Sequence, residues 1–148
     1  MNRNFRELLS AFSGENVDYL IVGAQALAAH GVPRATGDLD VWIRPSKENA
    51  ERVFRALAMF GAPLAGMAEE DFLTPGAVFQ IGVAPQRIDV LTELDGVLFE
   101  QAWPHRTEVD LAGLKVLVIG RADLIANKRA VGRPQDIADI ARLEEQSR

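Results

Sequence analysis

The segment from Ile21 to Ile43 constrains the fold of this chain more than any other stretch of its 148 residues. It begins at the end of a β-rich apolar run, VDYLIV at 17–22, which stops at Gly23. The Ala-rich residues 24–30 predict a short helix, closed by the Gly-Val-Pro that follows. The run DLDVWIR at 38–44 alternates apolar and polar residues, the pattern of a second strand. Two strands separated by a short helix predict a sheet with helices packed against it.

The rest of the chain supplies further elements of the same kind. Phe5, Leu8, Leu9 and Phe12 form one apolar stripe of a helix, and Ser46 is a candidate N-cap for a helix that ends at Gly61. Later segments predict a short turn near 69–72, two antiparallel strand pairs (78–83 with 87–92, and 107–111 with 115–119), a short helix at 97–103 and two C-terminal helices (122–130 and 134–145). We therefore expect one domain over residues 1–148, of the α/β (α+β) class, with a mixed, largely antiparallel sheet and flanking helices.

Composition excludes several classes of function. The chain has no Cys and two His, so zinc-finger, iron–sulfur and thiol-nucleophile chemistries lack their ligands or nucleophile. Sixteen Lys and Arg against 21 Asp and Glu leave a net charge of −5, which argues against a broad basic face that grips polynucleotide phosphates. No apolar run approaches the roughly 20 residues of a membrane span, so we expect no membrane role and a cytoplasmic location.

Gly23 lies where the first strand passes into the short helix. A residue without Cβ lets the backbone approach a ligand, and the free N–H groups of a helix N-terminus favour an anion. This turn is therefore a candidate phosphate cradle. Glycine between a strand and a helix is also ordinary turn chemistry, and the sequence leaves both interpretations open.

Three aspartates are candidates for a metal site. Asp38 and Asp40 are two residues apart on a predicted strand, so both carboxylates leave the same face roughly 7 Å apart. A divalent cation, most naturally Mg²⁺, would offset their repulsion, although a pair of aspartates on a solvated face is also common. Asp89, in the run RIDVL, faces away from its apolar neighbours. If the two strands are adjacent, the three carboxylates can converge on a two-metal site.

The order of these features resembles a known superfamily. Three stretches carry the resemblance: VGAQALAAHGVPRATGDLDVWI at 22–43, QIGVAPQRIDVLT at 80–92 and LIANKRAVGRPQDIADIARL at 124–143. Together they are similar to the signature of DNA polymerase β-like nucleotidyltransferases, in which a strand, a glycine turn and a helix precede Asp-x-Asp and a later lone Asp. More closely, the chain resembles minimal bacterial nucleotidyltransferase-like proteins related to abortive-infection toxin transferases.

The resemblance implies a nucleotidyltransferase fold and a role for each motif residue. Asp38 and Asp40 would hold catalytic Mg²⁺ ions, Asp89 would complete the site and help activate an acceptor hydroxyl, and Gly23 would open the phosphate-binding turn. The implied reaction moves a nucleoside monophosphate from an NTP to a hydroxyl of an RNA, a protein or a small molecule, with release of pyrophosphate. Ala24 departs from the family turn, which has Gly or Ser in second place, so no hydroxyl contacts the triphosphate there.

Three further residues are candidates for nucleotide binding. Lys128 lies on the apolar face of its predicted helix. Its ammonium either has a functional role, reaching a phosphate or the carboxylate cluster, or a structural one, pairing with Asp136 or Asp139. Arg34 and Thr36 precede Asp-x-Asp, where an Arg fork could neutralise a polyphosphate, although an Arg in such a loop is often solvated. The alternative function is a non-catalytic nucleotide-binding or protein-interaction module on the same scaffold, as part of a toxin–antitoxin pair. The expected partners are an NTP and an acceptor, with a protein partner or a homodimer as further candidates.

Overall fold

A six-stranded mixed sheet organises the part of the chain that the structure, a computed structural model, describes: residues 2–34, 37–83 and 86–146. The strands are β1 (Tyr19–Val22), β2 (Leu39–Ile43), β3 (Val78–Ile81), β4 (Ile88–Leu91), β5 (Thr107–Leu111) and β6 (Leu114–Val118). The helices are α1 (Arg3–Gly14), α2 (Gly23–Ala29), α3 (Lys47–Phe60), α4 (Phe99–Ala102), α5 (Arg121–Val131) and α6 (Pro134–Gln146). Short 3-10 helices cover Glu69–Leu73 and Trp103–His105.

The strand order is β3-β4-β2-β1-β6-β5. The β3–β4, β1–β2 and β5–β6 pairs are antiparallel, whereas β2–β4 and β1–β6 are parallel. The expected α/β class with a mixed, largely antiparallel sheet is therefore confirmed. The parallel β2–β4 pair, inside the β3 edge of the sheet, brings two distant segments side by side, and this pairing builds the candidate site.

Helices α1 and α3 follow the expected local rules. The Asn2 side chain accepts a hydrogen bond from the backbone N–H of Asn4 at 2.7 Å and so caps α1. The predicted stripe is the buried face of α1, and its last aromatic, Phe12, lies 5.7 Å from the Tyr19 ring between centroids. Ser46 accepts from the N–H of Asn49 as the N-cap of α3. These caps fix where both helices begin against the sheet.

The two faces of β2 differ in what covers them. Leu39, Val41 and Ile43 point into the main core and are at most 1% exposed. On the opposite face, Trp42 is buried against Phe99 of α4, with 5.0 Å between ring centroids. The helix expected at 97–103 is shorter than predicted, because the chain tightens into a 3-10 turn at Trp103–His105. The face that carries Asp40 is thus closed by aromatic side chains at its Trp42 end.

Within residues 2–34, 37–83 and 86–146, no helix combines the length and the apolar character that a membrane crossing requires.

Candidate active site

Four charged residues meet on one face of the β2–β4 pair. The parallel register sets Asp40 opposite Asp89, so their Cα atoms are neighbours about 4.8 Å apart. One step earlier, the backbone N–H of Leu39 donates to the carbonyl of Arg87 at 2.9 Å, and the N–H of Arg87 donates to Asp38 Oδ1 at 3.2 Å. Because side chains alternate along a strand, Asp38 and Arg87 project from the same face as Asp40 and Asp89. We call these four residues the carboxylate quartet.

Gly23 gives the Asp40 carboxylate the space it occupies. Asp40 pairs with Val22 across β1–β2, and Gly23 follows at the start of α2 with φ of +67°. A Cβ at position 23 would lie 2.3 Å from Asp40 Oδ2, far inside van der Waals contact. Glycine is therefore favoured here by its backbone conformation and by the carboxylate beside it. The group against this turn in the structure is a side chain of the protein itself.

The environment of Asp40 disfavours its charged form. Burial raises the pKa of the Asp40 carboxyl from 3.8 to about 6, and the neighbouring charges of Asp89 and Asp38 push it in the same direction. The positive charges of Arg87 and Lys128 act in the opposite sense and are too weak to reverse the shift. This half-buried carboxylate would gain from any added positive charge.

Arg87 is the counter-ion within the quartet. Its Nε donates to Asp89 Oδ1 at 3.0 Å, and its Nη2 lies 3.8 Å from Asp38 Oδ2. Sequence reasoning did not single out this residue, although a signal was present. In Arg87-Ile88-Asp89 the two charged residues have the same two-residue spacing as the Asp-x-Asp pair, so they had to share its face.

The quartet can be compared with the needs of Mg²⁺. Among the described residues, no three His, Asp or Glu side chains are arranged to hold a metal ion as they stand. The donors that the sequence suggested, Asp38, Asp40 and Asp89, are nevertheless the hard carboxylate oxygens that Mg²⁺ prefers. The space beside Gly23 holds the Asp40 carboxylate, and the oxygen atoms of all three carboxylates suit Mg²⁺ chemically. In this structure Arg87 contacts two of the three donors.

Lys128 lies in a buried ion cluster between α5 and α6. It is 7% exposed, and its Nζ lies 3.3 Å from Asp136 Oδ1 and 3.1 Å from Asp139 Oδ2, the second an ionic contact without hydrogen-bond geometry. Arg34 also donates to the Asp139 carboxylate. The contacts that Lys128 makes in this structure are therefore those of its structural role, with the acids of α6. Thr36 lies outside the described residues.

Asp136 is held in its ionised form by this cluster. Hydrogen bonds from the Arg133 side chain, with Nε at 2.7 Å, are the main cause of a pKa of about 2 for the Asp136 carboxyl. Burial acts the other way, while the hydrogen bond from Lys128 lowers the pKa further. The cluster thus joins the two C-terminal helices, and through Arg34 it reaches the segment that precedes β2.

Three solved structures resemble this fold over nearly the whole chain. A candidate nucleotidyltransferase from Thermotoga maritima matches with a TM-score of 0.63 and 16% identity, over 99% of this chain and 92% of that one. A lincosamide antibiotic adenylyltransferase solved with lincomycin bound matches with a TM-score of 0.63 and 12% identity, over 99% and 98%. ANT(2″)-Ia in complex with adenylyl-2″-tobramycin matches with a TM-score of 0.61 and 17% identity, over 97% and 86%.

No protein-family model matches the sequence, and no curated protein does. The structural similarity at these low identities establishes the architecture: the chain has the nucleotidyltransferase fold. The expected fold is confirmed, and the relation to abortive-infection transferases stays a prediction.

Proposed function

We propose that this protein is a Mg²⁺-dependent nucleotidyltransferase that moves a nucleoside monophosphate from an NTP to a hydroxyl acceptor. The observation that carries the proposal is the register of β2 with β4, which sets Asp40 beside Asp89 on the face that also bears Asp38. Three carboxylates on or directly before two adjacent strands, next to a glycine turn at a helix start, are the parts that metal-assisted phosphoryl chemistry needs.

Each residue then has a role. Asp38, Asp40 and Asp89 would hold the metal, which when bound offsets negative charge on the phosphates. Asp89 accepts the proton of the acceptor hydroxyl. The hydroxyl oxygen forms a bond to the α-phosphorus of the NTP, the bond from that phosphorus to the bridging oxygen breaks, and pyrophosphate leaves. Gly23 and Ala24 would present backbone N–H groups to the phosphates.

Lys128 and Arg34 belong to this proposal as sources of positive charge beside the nucleotide. Lys128 is close enough to Asp40 for its charge to favour the ionised carboxylate. The Arg34 side chain is 22% exposed and has donors beyond the one that meets Asp139. Both cations would attract a triphosphate while the α6 carboxylates hold them in place. Thr36, two residues after Arg34 in sequence, would add a hydroxyl to the same proposed site.

The acceptor is best sought among small hydroxyl compounds. Both antibiotic adenylyltransferases similar in structure are matched over most of their own length, 98% and 86%, so a chain of this size spans most of such an enzyme. We propose a small-molecule acceptor, with an RNA end or a protein hydroxyl as the alternatives. The test is incubation with each labelled NTP and either a cell lysate or its low-molecular-mass filtrate. Label on a macromolecule alone would refute a small acceptor.

The catalytic test is Asp38→Asn, which removes a metal ligand and its charge but keeps the shape. We expect transfer and pyrophosphate release to fall below detection while the unfolding midpoint stays within the range of a surface substitution. The control is Asp110→Asn, an exposed carboxylate on the distant edge strand β5. Full activity of the Asp38 variant would refute the metal role.

A second function, nucleotide binding without turnover, is favoured by two features. Ala24 lacks the hydroxyl of the family turn, and Arg87 already neutralises part of the quartet. Such a module would suit a partner-binding role, including one in a toxin–antitoxin pair. A thermal-shift titration with each NTP, with and without Mg²⁺, separates the two. Stabilisation without any pyrophosphate release would favour the second function, since binding alone raises apparent stability.

A further inference from the structure

Arg87 stands out because it is the cation of the quartet and no step of the proposed reaction uses it. Its guanidinium meets Asp89 through Nε at 3.0 Å and approaches Asp38 through Nη2 at 3.8 Å. The Arg87 side chain is 35% exposed, so it lies at the open side of the cluster with water access. It can therefore leave the carboxylates without breaking the core.

The quartet carries net negative charge even with Arg87 in place. Three carboxylates and one guanidinium sum to a formal charge of −2. Without Arg87 the same small area of sheet would carry −3, with Asp40 and Asp89 about 4.8 Å apart between Cα atoms. Mutual repulsion of this kind costs free energy, and Arg87 offsets part of that cost in the metal-free protein.

We propose that Arg87 is a built-in counter-ion that a divalent cation must displace from Asp38 and Asp89, so that Arg87 sets the metal affinity of the site. This inference rests on the proposed function, because it takes the three carboxylates to be the metal ligands. The inference goes further by identifying a residue that competes with the metal, Arg87, two residues before the third ligand, Asp89. The competitor weakens metal binding and stabilises the fold when no metal is bound.

Charge and geometry set the size of the effect. If Arg87 stayed on the carboxylates, its guanidinium carbon would lie about 5 Å from an ion that they shared, on the scale of the strand spacing. Even with the dielectric constant of bulk water, a unit charge at about 5 Å changes the affinity for a divalent ion roughly tenfold. Because the side chain is partly exposed, we take this water-like figure as the expected size.

The experiment uses the full-length protein, nucleotide-free, with Mn²⁺ as the probe ion. Affinity is measured by Mn²⁺ titration, and stability by thermal unfolding in the presence of a chelator. We expect Arg87→Gln to lower the unfolding midpoint in chelator and to bind Mn²⁺ roughly tenfold more tightly than the natural protein. Arg87→Lys keeps the charge and should stay close to the natural protein in Mn²⁺ affinity.

Arg44 provides the matched control. Like Arg87, it contacts two carboxylates, Asp18 through Nε at 2.8 Å and Glu100 through Nη1, but it lies beyond the opposite end of β2. Arg44→Gln should lower the unfolding midpoint and leave Mn²⁺ affinity unchanged. An unchanged or weaker Mn²⁺ affinity in Arg87→Gln would overturn the inference while leaving the metal site standing. Absence of Mn²⁺ binding in every variant would overturn both the inference and the proposed function.

Discussion

Replacing Asp40 with asparagine should stabilise this protein while removing a residue that the proposed reaction needs. The Asp40 carboxylate is half-buried, faces Asp89 across the strand pair and contacts the Gly23 backbone. An amide of the same shape keeps the packing and removes a charge that the site disfavours. Such a trade of stability for function is expected where a site gathers like charges.

The magnitude follows from the pKa of Asp40, which is raised from 3.8 in the unfolded chain to about 6 in the folded protein. A group whose folded pKa is raised contributes stability below its unfolded pKa, and that stability is lost as the pH rises through the folded value. Ionised Asp40 therefore costs the fold about 3 kcal/mol at pH 8 and about 1 kcal/mol near pH 4.5. Asp40→Asn should recover amounts of this order at each pH.

The assay is urea unfolding at both pH values in the presence of a chelator. The control is Asp110→Asn, an exposed carboxylate on the distant edge strand β5, whose replacement should change stability only within the range of a surface substitution. Adding Mg²⁺ should then stabilise the natural protein more than the Asp40 variant. A gain that is equal at the two pH values, or a loss at pH 8, would refute the argument that buried negative charge is the cause.

Three further predictions concern stability. Gly23 and Gly132 have nearly the same φ, +67° and +69°. A Cβ added at Gly23 would lie 2.3 Å from Asp40 Oδ2, whereas one added at Gly132 would meet its nearest atom at 3.5 Å. In urea unfolding, Gly23→Ala and Gly132→Ala should both lose about 1 kcal/mol of stability because of the left-handed backbone, and Gly23→Ala should lose clearly more. Equal losses would contradict the close approach of the Asp40 carboxylate to Gly23. Lys128→Met removes the cation between two buried carboxylates and should lower the free energy of unfolding by about 3–5 kcal/mol. A loss below about 1 kcal/mol would contradict a structural role for the ion cluster. Asp136 has a lowered pKa of about 2, so its contribution is present above pH 3.8 and is lost as the pH falls towards 2. Asp136→Asn should therefore cost about 2 kcal/mol at pH 7 and little near pH 2, measured by unfolding at both.

Local patterns were enough to predict most elements of this fold. The stripe of Phe5, Leu8, Leu9 and Phe12 is the buried face of α1, and Ser46 and Gly61 bound α3 as expected. Hydrophobic periodicity and capping act within a few residues, so they are legible without knowledge of the neighbours. Alternation likewise predicted which face of β2 carries its aspartates, because side-chain direction in a strand depends only on position.

Tertiary structure decided which of these elements meet. The Asp-x-Asp strand could have paired with several partners, and only long-range packing set it parallel to β4 with Asp40 beside Asp89. The same packing placed the Asp40 carboxylate over Gly23 and chose the α6 acids as the partners of Lys128. Sequence therefore determined the faces and ends of helices and strands, which depend on nearby residues. The strand order and the neighbours of each charge depend on the free energy of the whole packed chain, and so they were decided only in the folded protein.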